Sequence, residues 1–206
     1  MTNKAHVYVG LDLGQRRDYS ALAVLERAEA LTGEFDPVYW VHKRRTEYTV
    51  QHLERMRLGT PYPAVAGRVA DVVRQLAAAN YVTLVVDAGG PGMAVVDLLR
   101  AKDLPCTLLP VMITGGITEG RNGTVYAAPR SALMHGLKSM VQQGVLRIPD
   151  GLKETATLLK ELGSLKEKGG GTEHDDLAFA LALAAWRARK VKGSNGAKLD
   201  EVLPHY

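Results

Sequence analysis

The segment YVTLVVDAGGPG, residues 81–92, sets the tightest limit on how this chain can fold. A short, nearly all-apolar run halted by glycines is a strand buried on both faces, and such strands lie inside parallel sheets. The helical stretch MAVVDLLRAK and a second buried strand, CTLLPVMI, follow it, so a parallel, right-handed strand-helix-strand unit is expected. Upstream, HVYVGLDLG alternates, with Val7, Val9, Leu11 and Leu13 on one face, and YSALAVLERA resumes the strand pattern after the polar turn GQRRD. That arrangement predicts a hairpin. The aromatic and β-branched segment PVYWVHKRRTEY predicts a third antiparallel strand that ends in basic residues.

Between these two halves the period changes. Val65, Val69, Val72, Val73 and Leu76 share one helical stripe and predict an amphipathic helix over 63–79. Further helices are expected at about 129–143, 151–166 and 174–190. The outcome is an α/β fold with a mixed five-stranded sheet, three antiparallel strands and then parallel ones, flanked by helices. With 206 residues the chain has the size of one ordinary domain. It is expected to occupy 1–192, with a flexible tail at 193–206.

Several classes of protein are excluded at this point. The longest apolar run, LAFALALAAW, is far shorter than the roughly 20 residues a membrane-spanning helix needs. The amino terminus lacks the apolar core of a secretory signal. Cys106 is the single cysteine, which rules out an intrachain disulfide and a thiolate zinc cluster and fits a reducing, cytoplasmic setting. The net charge of +4 gathers at Lys43, Arg44 and Arg45 and again at Arg187, Arg189, Lys190 and Lys192, a footprint compatible with a polyanionic partner.

The carboxylates carry the chemistry. Asp12 stands on the first strand, Asp87 ends the buried strand, and Asp175 and Asp176 open the last helix, HDDLAFALALAAW. Singly, each has a simpler explanation: a turn residue, a helix cap, or a charge favoured at a helix amino terminus. Together, a hairpin beside a strand-helix-strand unit brings the first and fourth strands side by side, with the closing helix across them. An ionised carboxylate in such a poorly hydrated place costs several kcal/mol unless a cation or hydrogen bonds offset it. Oxygen ligands from separate rigid elements, without cysteine and with little histidine, suit magnesium or manganese, and two such ions about 4 Å apart serve phosphodiester cleavage. Within one helix Asp175 and Asp176 would point about 100° apart, so they are not equivalent, and periodicity does not choose between them. His174 is either an outer orienting group or an ordinary polar neighbour.

Two glycine-rich stretches need separate treatment. GGPG at 89–92 follows a strand and precedes a helix, but Val95 stands where G-x-G-x-x-G requires glycine. Its expected use is steric, letting a nucleic-acid backbone come close to Asp87 while the helix amino terminus receives a phosphate. The segment TGGITEGRNGTV, 114–125, has no apolar period and is expected to be a long loop, a mobile flap that meets the duplex. No P-loop signature occurs, and 206 residues are too few for the two lobes of an actin-like ATPase, despite GLDLG and VDAGG.

The order of elements and the placing of the acids resemble the ribonuclease H-like superfamily, and within it the nuclease domain of phage terminase large subunits, from about residue 6 to 190. GLDLGQRRDYSALAVL is similar to the first strand and hairpin of that family and VVDAGGPGMAVVDLL to its second-acid strand. YAAPRSALMHGLKSMVQQGVLRIP with LLKELGSLK is similar to its helix, short strand and helix, and HDDLAFALALA is the most specific match. The resemblance implies metal-ligand and catalytic roles for Asp12, Asp87 and Asp175 or Asp176, with two magnesium or manganese ions. The implied activity is endonucleolytic cleavage of double-stranded DNA. The candidate duplex contacts are Arg130, Lys138, Gly115, Gly116 and Arg121, although Arg130 equally suits an exposed helix start. The implied partners are an ATPase motor domain or subunit and the portal and small terminase components. Such a domain normally follows the motor, whereas here the pattern starts at once, which leaves open an excised domain or a separately encoded nuclease. A Holliday-junction-resolvase-like nuclease and a catalytically inert DNA-binding or docking module of the same fold are the alternatives.

Overall fold

The computed structural model describes residues 4–14, 18–167 and 175–191. His174 and the tail from 193 lie outside them. Five strands form as expected: β1 (Ala5–Asp12), β2 (Ala21–Asp36), β3 (Val41–Arg55), β4 (Asn80–Asp87) and β5 (Thr107–Thr114). The sheet is wider than five. β6 (Gly120–Asn122), β7 (Val125–Pro129) and β8 (Leu146–Arg147) extend it to eight strands in the order β6-β7-β5-β4-β1-β2-β3-β8. The segment expected as a plain loop at 114–125 thus contains a strand, and β6 returns antiparallel on β7. Its few apolar residues conceal this, because an edge strand of three residues needs no core pattern.

Helices α1 (Tyr62–Ala77), α2 (Gly92–Arg100), α3 (Arg130–Gln142), α4 (Thr155–Glu167) and α5 (Asp176–Lys190) follow the predicted spans closely. Pro61 and Pro63 start α1, where a missing N–H costs nothing. The parity of β1 divides the molecule into two cores. Val7, Val9 and Leu11 pack with Leu84, Val86 and the α1 stripe, Val65, Val69 and Val73, beneath the sheet. Tyr8, Ala23, Leu25 and Val85 face the opposite layer, built from α3, α4 and α5. From Leu177 to Trp186 every residue of α5 is buried, which is why that helix is apolar on all sides. No helix among the described residues is long and apolar enough to cross a membrane.

The β2–β3 hairpin differs most from expectation. Residues 37–40, read as the start of the third strand, form its turn, and Trp40 adopts φ 53°. β1 pairs with β2 only as far as Arg27, and β8 meets β3 only at Tyr48 and Thr49, so the outer part of the hairpin projects as a two-stranded ribbon. Its tip is apolar, with Trp40 81% exposed and Phe35 edge-on to it. The basic cluster foreseen there is partly neutralised, Lys43 by Glu34 at 3.0 Å and Arg45 by Glu47 at 2.6 Å.

One close approach sets the height of α5 over the sheet. A Cβ at Gly10, mid-strand in β1, would overlap the carbonyl oxygen of Ala180 on α5. Only glycine lets the helix sit this near the strand. Gly10→Val is therefore expected to destabilise the fold by at least about 1–3 kcal/mol, the cost of overpacking a filled core. Urea unfolding of the two proteins measures it, and an unchanged midpoint would contradict the contact.

Candidate active site

β1 and β4 run parallel with Leu11 opposite Val86, so the next residue on each, Asp12 and Asp87, falls at adjacent carboxyl ends. Both share the parity that faces α5. After β1 the chain turns to β2 on one side, and after β4 it crosses to β5 on the other. Such a switch point opens a crevice at the strand ends. A pocket of about 530 Å³ lies there, and its lining includes Asp12, Asp18, Asp87, Asp175, Asp176 and Arg130.

The two adjacent acids of α5 are separated by the helix boundary itself. Asp175 is the N-cap, with φ −123° and ψ 26°, whereas Asp176 is the first helical residue. The 100° offset expected within one helix therefore does not apply, and both line the pocket. Asp175 accepts a 2.8 Å hydrogen bond from Arg130, whose guanidinium also stacks 3.8 Å from the centre of the Phe179 ring. Asp176, 5% exposed, lies 3.8 Å from the Arg55 guanidinium, which itself covers the Tyr19 ring.

Among the described residues, the aspartates lining the pocket outnumber the arginines beside them, Arg130 and Arg55. Burial, then repulsion from Asp87, Asp176 and Asp175, drives the Asp12 pKa well above the usual carboxylate value, with Arg130 as the opposing charge. Asp87 is raised by burial, against hydrogen bonds from the backbone of Gly89 and Ile113. The Gly89 N–H donates to Asp87 Oδ1 at 2.9 Å. Asp175 is raised by burial, and Arg130 acts against this. Glu161 of α4, 4% exposed, is pushed up to about 7, first by burial.

The GGPG turn also has a packing role. A side chain at Gly92 would collide with the Asp87 carbonyl, so this glycine lets α2 start directly against β4. Of the candidate duplex contacts, Gly115 and Arg130 line the pocket, while Gly116 is an exposed neighbour of Gly115. Arg121 lies on β6 over the Tyr126 ring, outside the lining. Lys138 is on the exposed face of α3, about 12 Å along the helix from Arg130 at roughly 1.5 Å per residue. The segment 114–125 is joined to α5: Glu119 accepts a 3.0 Å hydrogen bond from Trp186 Nε1 and an ion pair from Lys190.

Sequence reasoning missed Asp18, Arg55 and Glu161. Arg55 ends an ordinary strand and carries no signal. Glu161 did carry one, because with Leu158, Leu162 and Leu165 it occupies the i, i+3, i+4, i+7 stripe of an amphipathic helix, where a charge is out of place.

The strand order, the two helical layers and the crevice at the switch point define a ribonuclease H-like fold. The chain belongs to the terminase RNaseH-like domain family, whose family model matches residues 9–187. Among solved structures it is similar to the large terminase of bacteriophage HK97, at 13% identity and a TM-score of 0.51 over 90% of this chain. The match takes in 40% of that terminase, so the chain spans about two fifths of its length. No curated protein matches the chain in sequence.

The raised pKa values fix the sign of a pH effect. A carboxyl raised on folding binds more protons in the native state than in the unfolded one, so it lowers stability as pH rises from the unfolded value, 3.8 for aspartate, towards the folded one. In chelator, Asp12→Asn is expected to melt above the wild type at pH 7.5, with the gain vanishing near pH 4. A lower melting temperature at pH 7.5 would show that Asp12 is compensated.

Proposed function

We propose that this domain is a metal-dependent endonuclease that cleaves double-stranded DNA through two divalent ions, as the genome-cutting nuclease of a phage packaging terminase. The observation that carries the reading is the meeting of Asp12, Asp87, Asp175 and Asp176 in one crevice at the carboxyl ends of β1 and β4. The donor set fits magnesium or manganese: it is all oxygen, and burial together with mutual repulsion leaves Asp12 short of positive charge. Among the described residues no three His, Cys, Asp or Glu side chains already stand as a metal cage. Arg130 holds Asp175 and Arg55 lies beside Asp176, so ligation exchanges these arginine contacts for the ions. Asp12, Asp87 and Asp176 would hold them, with Asp175 joining on release from Arg130. When bound, two such ions supply activation of water and stabilisation of the leaving oxygen.

The chain's own groups orient the substrate. The Gly89 N–H fixes the Asp87 carboxylate, and Arg130, half exposed at the rim, is free to move from Asp175 to a phosphate oxygen. Gly115, which follows the β5 end paired with Pro129, gives the duplex backbone close access beside Arg130. In a packaging machine the partners are an ATPase motor and the portal and small terminase components, since the solved relative is a large terminase more than twice this length.

Plasmid DNA tests this directly. Nicking and cutting are expected with Mn²⁺ or Mg²⁺, none in chelator, and no change with ATP. Asp12→Asn and Asp87→Asn should each lose more than about 100-fold, the upper range for removing even an outer partner of a metal ligand. Cleavage that persists in both variants would refute the assignment. Arg130→Ala should fold normally yet bind duplex more weakly by about 1.5–3 kcal/mol, one charge-assisted hydrogen bond, in a filter-binding titration.

A further inference from the structure

A helix that begins with aspartate normally spends that carboxylate on itself, as the N-cap side chain accepts an N–H from the second or third helical residue. Asp175 does not: it is the N-cap of α5, yet its side chain makes no capping hydrogen bond. Its carbonyl oxygen accepts the first helical bond, from Phe179 N–H at 2.9 Å, while its carboxylate turns to Arg130 and the pocket. The third helical N–H, that of Ala178, is satisfied from elsewhere. It donates to Glu161 Oε2 of α4 at 2.8 Å.

Glu161 is a costly residue to keep there. It is buried, and its second oxygen, Oε1, has no hydrogen-bond partner among the described residues. An unsatisfied buried oxygen on an ionisable group lowers stability, and its neighbours Leu158 and Leu162 mark the place as one for an apolar side chain. Packing alone does not account for it.

We propose that Glu161 is a positioning residue, a cap supplied by α4 that orders the first turn of α5 and frees the Asp175 carboxylate for the pocket. Without it, the orphaned Ala178 N–H is one that an N-cap aspartate side chain ordinarily takes, so Asp175 turns back to cap it and away from the crevice. The inference rests on the two-ion reading for its effect on catalysis, but the cap itself stands on geometry alone.

The test compares the wild type with Glu161→Gln, which keeps an acceptor oxygen, and Glu161→Leu, which removes it. Residue-resolved amide exchange on the whole chain should show the Ala178 amide protected in the wild type and in E161Q, and fast in E161L. Titration with Mn²⁺ alone should give E161L an affinity about 10–100-fold weaker and E161Q one within about threefold of the wild type. A purely structural role would lower the melting temperature of E161L without moving the Mn²⁺ affinity of the folded fraction, and that result overturns the proposal. Fast exchange of Ala178 in the wild type overturns it too, with no need for a variant to fold. A wild type that takes up no Mn²⁺, like Asp12→Asn, refutes the metal reading instead, and the exchange comparison then still decides the cap.

Discussion

The contact between Gly10 and the backbone of Ala180 governs the rest of the molecule. α5 is apolar on all sides because it is covered on all sides, by β1 and β2 below and by α3 and α4 beside and above. A helix packed on a sheet is normally held off it by the side chains between them. Here one strand residue has no side chain, and the helix settles directly onto the strand. The N-terminus of α5 then comes down at the end of β1, two residues beyond Gly10, where Asp12 stands. The acids of the sheet and those of the helix meet because the backbone between them is in contact.

That closeness has an electrostatic consequence. Five aspartates, Asp12, Asp18, Asp87, Asp175 and Asp176, line one pocket, and among the described residues Arg130 pairs with Asp175 and Arg55 lies beside Asp176. The raised pKa values of Asp12, Asp87 and Asp175 express burial first, with repulsion from neighbouring acids added at Asp12 and Arg130 opposing all three. Glu161 adds a further carboxyl, close enough to Asp176 and Asp175 to be repelled by both. A core designed for stability alone would hold none of these groups. The energy they cost has to come from elsewhere, and the two large apolar layers on either side of the sheet are its source.

Much of this was legible before any coordinates, and the legible parts share a cause. Long elements with a full apolar face declare their period, so all five helices and the first, fourth and fifth strands were readable from Val7, Leu84 or Val69 and their repeats. The short strands β6 and β8 have no face to declare; they exist because a longer neighbour offers an edge. The hairpin turn at 37–40 was misread because Tyr39 and Trp40 have strand-like side chains, while tertiary freedom at an exposed tip lets them turn. In the pocket, the acids were visible as charges inside apolar patterns. Their division of labour was not, since the third N–H of α5, which an N-cap aspartate ordinarily takes, is met by Glu161 of α4, and no local pattern encodes a partner 17 residues upstream of Ala178.

The same reasoning bears on whether such a domain can be an inert remnant of its fold. Fold does not confer activity, and a 13% identical relative shows the fold alone. The cost of the pocket is more informative. In a module that merely docks, any exchange of Asp12 for a neutral residue would relieve burial and three repulsions at once, since Asp87, Asp175 and Asp176 all raise its pKa. Among the described residues Asp12 makes no salt bridge, and Arg130, the charge that favours its ionised form, is paired with Asp175. A carboxylate that several neighbours oppose is what the proposed divalent ions would account for, binding where the acids converge.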